Sequence, residues 1–230
     1  MRRQVPIGFF TPSVSYPAIL DDGNTIAWYQ GDNLATITKD GSNFVSRWND
    51  KLASGRDLIQ ATGTNQPLWV SPNYIQFDGI DNFMKCGAFT FVQPEFIYMI
   101  VKQITWVSSD YIFDGNAQNS MALQQYNVTP KICPYAGGTY PYNSDLIIDT
   151  WAILRVLFDA AGAGGKIIVD ANAPTAGTSG TANAGGFTLG AAGNNSWFGN
   201  IAVKEVILRR IIDTAPNETL IYNYLVTRNV

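Results

Sequence analysis

The feature that most constrains this chain is the shortness of its apolar runs. From Thr25 onward they are three to nine residues long and are broken by Gly, Asn, Asp, Pro and Ser. That spacing suits strands closed by turns and is too short for helices of ordinary length. Candidate strands are 26–30, 44–48, 74–77, 96–102, 111–113, 121–125, 151–159, 166–170, 187–189 and 201–209. In 151–159 Ala152, Leu154, Val156 and Phe158 fall on one face and Arg155 and Asp159 on the other, so the first set is predicted core. The run 96–101 is apolar on both faces. Its second face therefore needs cover, either from a partner or from the chain's own loops.

Between the strands, AAGAGG at 160–165 suits a hairpin turn, and ANAPTAGTSGTANAGG at 171–186 is too poor in large side chains to fill a core. One helix is predicted near the C-terminus. Asp213 or Thr214 caps it, Pro216 sits in its first turn, Glu218 favours the positive end of the dipole, and Leu220, Ile221, Tyr224 and Leu225 share the face that lies on the strands. Residues 1–24, with Pro6, Pro12 and Pro17, read as an extended arm or a solvated tail. Residues 25–230 read as one domain without a repeat of 20 to 50 residues.

Composition narrows the chemistry. Among 230 residues there is no histidine, which removes the commonest general base, the usual zinc ligand and the usual triad member. Fifteen basic and 18 acidic side chains give a net charge of -3, so no basic field exists to hold nucleic acid or an acidic membrane surface. The polar surface must come largely from neutral residues, which suits partners recognised by hydrogen bonds, sugars among them. No apolar run is long enough to span a bilayer. Prolines interrupt the N-terminal apolar stretch, so no secretory signal is expected. Cys86 and Cys133 are too few for a disulfide framework and are expected as two buried, reduced thiols.

Two longer stretches carry a family pattern. The first is SRWNDKLASGRDLIQATGTNQPLWV followed by YIQFDGIDNFM, with Trp48, Asp50, Gly55, Gln60, Gln66, Pro67, Phe77, Asp78, Gly79 and Asp81 in order. The second is WAILRVLFD, a hairpin, IIVDANAP, and then FTLGAAGNNSWFGNIAVKEVILRR before the helix. From Thr25 to the end the chain resembles the concanavalin A-like, laminin-G-like jelly rolls of bacteriophage and bacterial surface proteins. Asn172 stands where that pattern more often has glycine, and Val203-Lys204 lengthens the stretch before Glu205. The resemblance implies an all-β fold, an antiparallel two-sheet β-sandwich (jelly roll, concanavalin A-like) with a short C-terminal helix. Trp48, Asp50, Asp78 and Asp81 read first as fold-forming residues.

Jelly-roll glucanases similar to this fold carry Glu-x-Asp-x-Glu on one strand. This chain has only Glu95, Glu205 and Glu218, none in that pattern, so it is expected not to be an enzyme. A lyase with Tyr or Lys as base is the remaining catalytic alternative. Laminin-G-like rims often bind calcium, and Asp159, Asp170, Asn194 and Asn195 lie in rim loops, but turn capping explains each of them. No cofactor or metal is assigned.

Sugar binding needs an aromatic face beside amides or hydroxyls. Two loops offer both: CPYAGGTYPYNSD with Tyr135, Tyr140, Tyr142 and Asn143, and AGNNSWFGN with Asn194, Asn195 and Trp197. The alternative is that these aromatics close the ends of the core. Together with the resemblance, these readings lead to the expectation of a bacteriophage virion surface protein, a capsid decoration or fibre component. It would be homo-oligomeric, would bind host or mucosal glycans, and would contact other virion subunits through its arm or a sandwich edge. The alternatives are a secreted carbohydrate-binding module and a structural virion module that binds no glycan.

Overall fold

The computed structural model describes residues 16–138, 141–161 and 165–230. In chain order its strands are β1 (Thr25–Gln30), β2 (Ile37–Lys39), β3 (Val45–Trp48), β4 (Leu58–Ile59), β5 (Leu68–Val70), β6 (Tyr74–Asp78), β7 (Met84–Cys86) and β8 (Glu95–Gln103). They continue with β9 (Tyr111–Asp114), β10 (Ala122–Gln125), β11 (Ile132–Tyr135), β12 (Trp151–Phe158), β13 (Lys166–Val169), β14 (Thr175–Ala176), β15 (Phe187–Leu189) and β16 (Asn200–Arg209). A single α-helix, α1 (Ala215–Arg228), closes the described chain. Every one of the ten expected strands is present. The strands not foreseen, β2, β4, β5, β7, β11 and β14, span only two to four residues each.

The strands build two antiparallel sheets packed as a sandwich. The first runs β14-β13-β12-β8-β16-β6-β5, with β1 also pairing to β16, and the second runs β11-β10-β9-β15-β7-β4-β3-β2. Ala152, Leu154, Val156 and Phe158 point into the space between them, as their alternation required, and meet Phe113, Leu123, Phe187 and Leu189 of the second sheet. The turn after β6 also follows the sequence. Gly79 takes φ 74, and the Asp78 carboxylate accepts from the amide of Ile80 at 2.9 Å.

The outer face of the first sheet carries a second apolar cluster. Trp28, Phe96, Tyr98, Ile100, Ile153, Leu157 and Ile207 are covered by Leu20, from the 3-10 turn Ala18–Asp21, and by Ile221, Tyr224 and Leu225 of α1. The chain itself thus supplies the cover that the two-faced strand β8 demanded. Leu220 is a correction: it is 51% exposed, because it lies off the stripe of Glu218, Ile221, Tyr224 and Leu225 that faces the sheet. Of the expected arm, residues 1–15 lie outside the described residues. Among the described residues no helix is long and apolar enough to cross a membrane.

Arg209, at the end of β16, is fully buried. Its guanidinium donates to Asp213 Oδ2 and Oδ1 at 2.8 Å each, to Asp22 Oδ2 at 2.9 Å, to Thr25 Oγ1 at 2.7 Å and to the Ile19 carbonyl at 2.9 Å. The Tyr98 hydroxyl donates to the same Asp213 at 2.8 Å. One cation thereby ties the N-terminal turn, β1, β8 and the start of α1 together. Asp213 does not cap the helix. Thr214 occupies the cap position without a side-chain bond.

The pairing of β16 with β8 shifts between Val203 and Glu205, leaving Lys204 as the extra residue of a bulge. This is the lengthening visible in the sequence. Its effect is that Ile201, Val203, Val206 and Leu208 all reach the inner core while Glu205 turns outward. Cys86 on β7 and Cys133 on β11 are free and buried. They stand four strand positions apart, about 19 Å at about 4.8 Å per strand, which no disulfide spans. Burial pushes their thiols up to about 11 and about 12.

Two measurements check this account. Arg209→Leu should lower unfolding stability by about 3–5 kcal/mol in urea denaturation, because it leaves Asp213 and Asp22 as uncompensated charges. Unchanged stability would show the node to be dispensable. Glu95 is fully buried; its Oε1 accepts from the Ala184 amide at 2.7 Å. Burial pushes its carboxyl from 4.5 up to about 8. The folded chain then keeps a proton that the unfolded chain releases, so stability is full below about pH 4.5 and falls as the pH rises toward about 8. Glu95→Gln should flatten the change in urea midpoint between pH 5 and pH 8, and an unaltered slope would refute the assignment.

Candidate functional site

The site grows out of the alternation in β1. Ala27 and Tyr29 enter the inner core, so Trp28 and Gln30 face outward, beneath α1. The bulge turns Glu205 to the same side, and α1 places Tyr224 and Arg228 one turn apart above it. Glu205 is 1% exposed. Its Oε1 accepts from Trp28 Nε1 at 2.6 Å and from the Tyr224 hydroxyl at 2.7 Å, and its Oε2 accepts from Arg228 Nε at 2.9 Å. Gln30 Nε2 donates to the Tyr224 hydroxyl at 3.0 Å. Arg228 Nη2 also reaches Asp32 Oδ1 at 2.5 Å. Burial, and after it the adjoining Glu205, push the Tyr224 phenol far above its ordinary range. This group is therefore a hydrogen-bonding wall and not a proton shuttle at neutral pH.

Above that floor opens a cleft of about 560 Å³ lined by Tyr16, Gln30, Asp32, Asn33, Lys51, Tyr224 and Arg228. A smaller hollow of about 270 Å³ adjoins it across Asp32 and Arg228 and runs on to Asn73, Lys204 and Thr227. The Lys51 ammonium lies 3.6 Å from the centroid of the Trp28 ring and 4.1 Å from that of Tyr16. Asp50 sets this geometry. Its carboxylate accepts from the amides of Trp28 at 2.7 Å, Leu52 at 3.1 Å and Ser54 at 3.0 Å, which fixes the turn that presents Lys51. The neighbouring loop that carries Asp32 and Asn33 is held where the Gly31 amide donates to the Lys204 carbonyl at 2.7 Å. A Cβ at Gly31 would sit 2.6 Å from the Asn73 carbonyl oxygen, so the backbone approach there requires glycine.

An aromatic rim, two amides, a carboxylate and cations in one concavity can orient a polyhydroxylated ligand by stacking and by hydrogen bonds of both senses. None of these lining residues was singled out from the sequence as a site residue; Tyr224 was named only as part of the helix face that packs on the strands. The one available signal was the extra residue before Glu205. Residues 16–33, 51 and 224–228 meet only because β1 pairs with β16 and α1 folds back over both.

The site residues expected from the sequence lie elsewhere, in loops away from this cleft. Tyr135 packs with Tyr111, Ala122 and Ala192, so the two aromatic loops do meet on the outer face of the second sheet. In the second loop, Asn194 Nδ2 donates to Gln118 Oε1 at 3.0 Å, Asn195 and Trp197 take φ 61 and 57, and Trp197 is 49% exposed. Tyr142 stands apart, its ring centroid 4.7 Å from that of Tyr126 and 4.6 Å from the Lys131 ammonium. Asn143 is buried, and its amide donates to Asp145 Oδ2 and Thr175 Oγ1, both at 3.1 Å, so it is spent inside the protein. Tyr140 lies outside the described residues. Asp159 and Asp170 close opposite ends of the β12–β13 hairpin, and Asn194 and Asn195 lie in the loop between β15 and β16, beside Gln118. The four rim residues weighed for calcium are thus not gathered. Among the described residues no group of three or more His, Cys, Asp or Glu side chains is placed to hold a metal ion.

No protein-family model and no curated protein sequence matches the chain. Solved structures do match it in fold. Trypanosoma rangeli sialidase in complex with sialic acid aligns with TM-score 0.63 and 12% identity over 90% of this chain and 34% of the sialidase chain. A GH54 α-L-arabinofuranosidase soaked with a cyclic sulfate inhibitor aligns with TM-score 0.65 and 15% identity over 89% of this chain and 59% of its own. An arabinofuranosidase complexed with arabinofuranosyl-alpha-1,2-xylobiose gives 0.63, 15%, 89% and 59% in the same measures. This chain therefore spans about a third of the sialidase and about three-fifths of the arabinofuranosidases. These neighbours are carbohydrate-active proteins, and the likeness is one of fold. It overturns the expectation that the chain is not an enzyme: the sialidase and the arabinofuranosidases that share this fold are glycoside hydrolases.

Proposed function

We propose that this chain is a glycan-binding β-sandwich and that the cleft between β1, the residues 31–33 and α1 is where the sugar sits. The observation that carries the reading is the cleft itself. At about 560 Å³ it has the size of a small-ligand site, and it sets the Tyr16 and Tyr224 rings beside the amides of Gln30 and Asn33 and the carboxylate of Asp32. Rings supply a surface for the C–H face of a sugar, and the neighbouring acceptors and donors read its hydroxyls. The fold likeness to carbohydrate-active proteins supports the same class of ligand.

The setting that goes with this reading is the surface of a bacteriophage virion, where the sandwich meets host or mucosal glycans and the N-terminal arm or a sheet edge contacts neighbouring subunits. Its support is the resemblance of residues 48–81 and 151–209 to jelly rolls of such particles. Finding the protein in purified particles by mass spectrometry tests that setting.

A glycan array followed by titration calorimetry tests the binding. The native chain should bind a defined set of glycans, and Tyr16→Ala and Asn33→Ala should each weaken binding about tenfold, the loss of one stacking or hydrogen-bonding contact of about 1.4 kcal/mol. Trp197→Ala should leave affinity unchanged. The reverse pattern would move the sugar to the outer face of the second sheet, and an array without any binding would overturn the proposal.

A further inference from the structure

We infer that the cleft takes an acidic sugar, whose anionic group is received by the Lys51 ammonium. The inference rests on the glycan-binding reading and adds the class of glycan to it.

Two of the cations at the cleft are already engaged. Arg228 is shared between Glu205 at 2.9 Å and Asp32 at 2.5 Å. Lys204 donates to the Val230 carbonyl at 3.0 Å. Among the described residues Lys51 has no such partner: its side chain meets the faces of Trp28 and Tyr16 and forms no ion pair. Residues outside the description cannot supply one either. Residues 1–15, 139–140 and 162–164 contain no Asp or Glu, so all 18 carboxylate side chains of the protein are accounted for.

An ammonium in this position is prepared for a ligand. The two rings restrict it, the Lys51 amide donates to the Trp28 carbonyl at 2.8 Å, and Asp50 holds the turn, so little freedom remains to be lost on binding. Aromatic faces attract the cation but leave its N–H groups without acceptors. Burial pushes the ammonium below its ordinary value despite the field of Glu205, as expected of a cation that lacks a contacting anion. A carboxylate or sulfate entering beside Gln30 and Asn33 would supply the acceptor and form a charge-assisted hydrogen bond in a partly desolvated cleft.

The test compares neutral oligosaccharides with their uronic-acid-bearing and sulfate-bearing counterparts, first on an array and then by titration at low and high salt. The acidic members should bind about tenfold more tightly at low salt, the advantage shrinking as ionic strength rises. Lys51→Gln should abolish the preference, so that acidic glycans bind no better than neutral ones, and Lys51→Arg should keep it. Which acidic arm shows the advantage identifies the anion as carboxylate or sulfate. Equal binding of neutral and acidic glycans, or a preference that survives Lys51→Gln, would overturn this inference and leave the glycan-binding reading standing. Binding of neither kind would remove both.

Discussion

The buried guanidinium of Arg209 is the contact on which the rest of the structure leans. A charge with no exposure survives in an interior only when every donor finds an acceptor, and here two aspartates, a hydroxyl and a carbonyl do so together. Those acceptors come from the turn before β1, from β1 and from Asp213, two residues before α1. Tyr98 of β8 joins through Asp213. The node therefore decides where the helix begins, and Ile221, Tyr224 and Leu225 then cover the outer face of the first sheet. Glu218, paired with Arg155 at 3.0 Å and Lys166 at 2.5 Å, fixes the helix laterally over β12 and β13. The cleft inherits this placement, since Tyr224 and Arg228 are its helical wall.

The second determinant is the bulge at Lys204. Without an extra residue, either Ile201 and Val203 or Val206 and Leu208 would face the inner core, but not both pairs. With it, both pairs are buried and Glu205 is delivered under the helix, where Trp28, Tyr224 and Arg228 supply its hydrogen bonds. Packing of the sandwich and construction of the site are thus one event in β16. An irregularity there is compatible with a stable sheet because the outward carboxylate is fully satisfied.

What could be read beforehand follows from period and length. A run such as 151–158 declares itself because alternation over eight residues separates an inner from an outer set, and 201–209 by its unbroken length between turn residues. Leu58 and Ile59, or Thr175 and Ala176, carry no period at two residues each, and only the neighbouring strands make them strands. The apolar outer set of β8 showed that cover was needed, but not that a turn at Ala18–Asp21 and a helix some 120 residues away would provide it. Exposed aromatics such as Trp197 are legible from loop composition, but composition does not tell a free amide from one already engaged. Asn143 is such a case. The lining of the cleft lay beyond reach for the same reason as the helix cover: its residues become neighbours only through the pairing of β1 with β16.

The resulting site divides into a floor that belongs to the fold and a rim that does not. Trp28, Glu205 and Tyr224 form the floor, and removing one partner there leaves a buried carboxylate short of donors at a cost of order 3–5 kcal/mol. Loss of binding after such a change would report loss of structure. Tyr16, Asn33 and Lys51 are different: none contributes a side-chain hydrogen bond to the buried network, and each borders the cleft. Selection acting on ligand choice can alter these three residues while the sandwich stays intact. The same fold recurs in the sialidase and the arabinofuranosidases at 11–15% identity to this chain, and on a shared fold the chemistry is carried by a few positions.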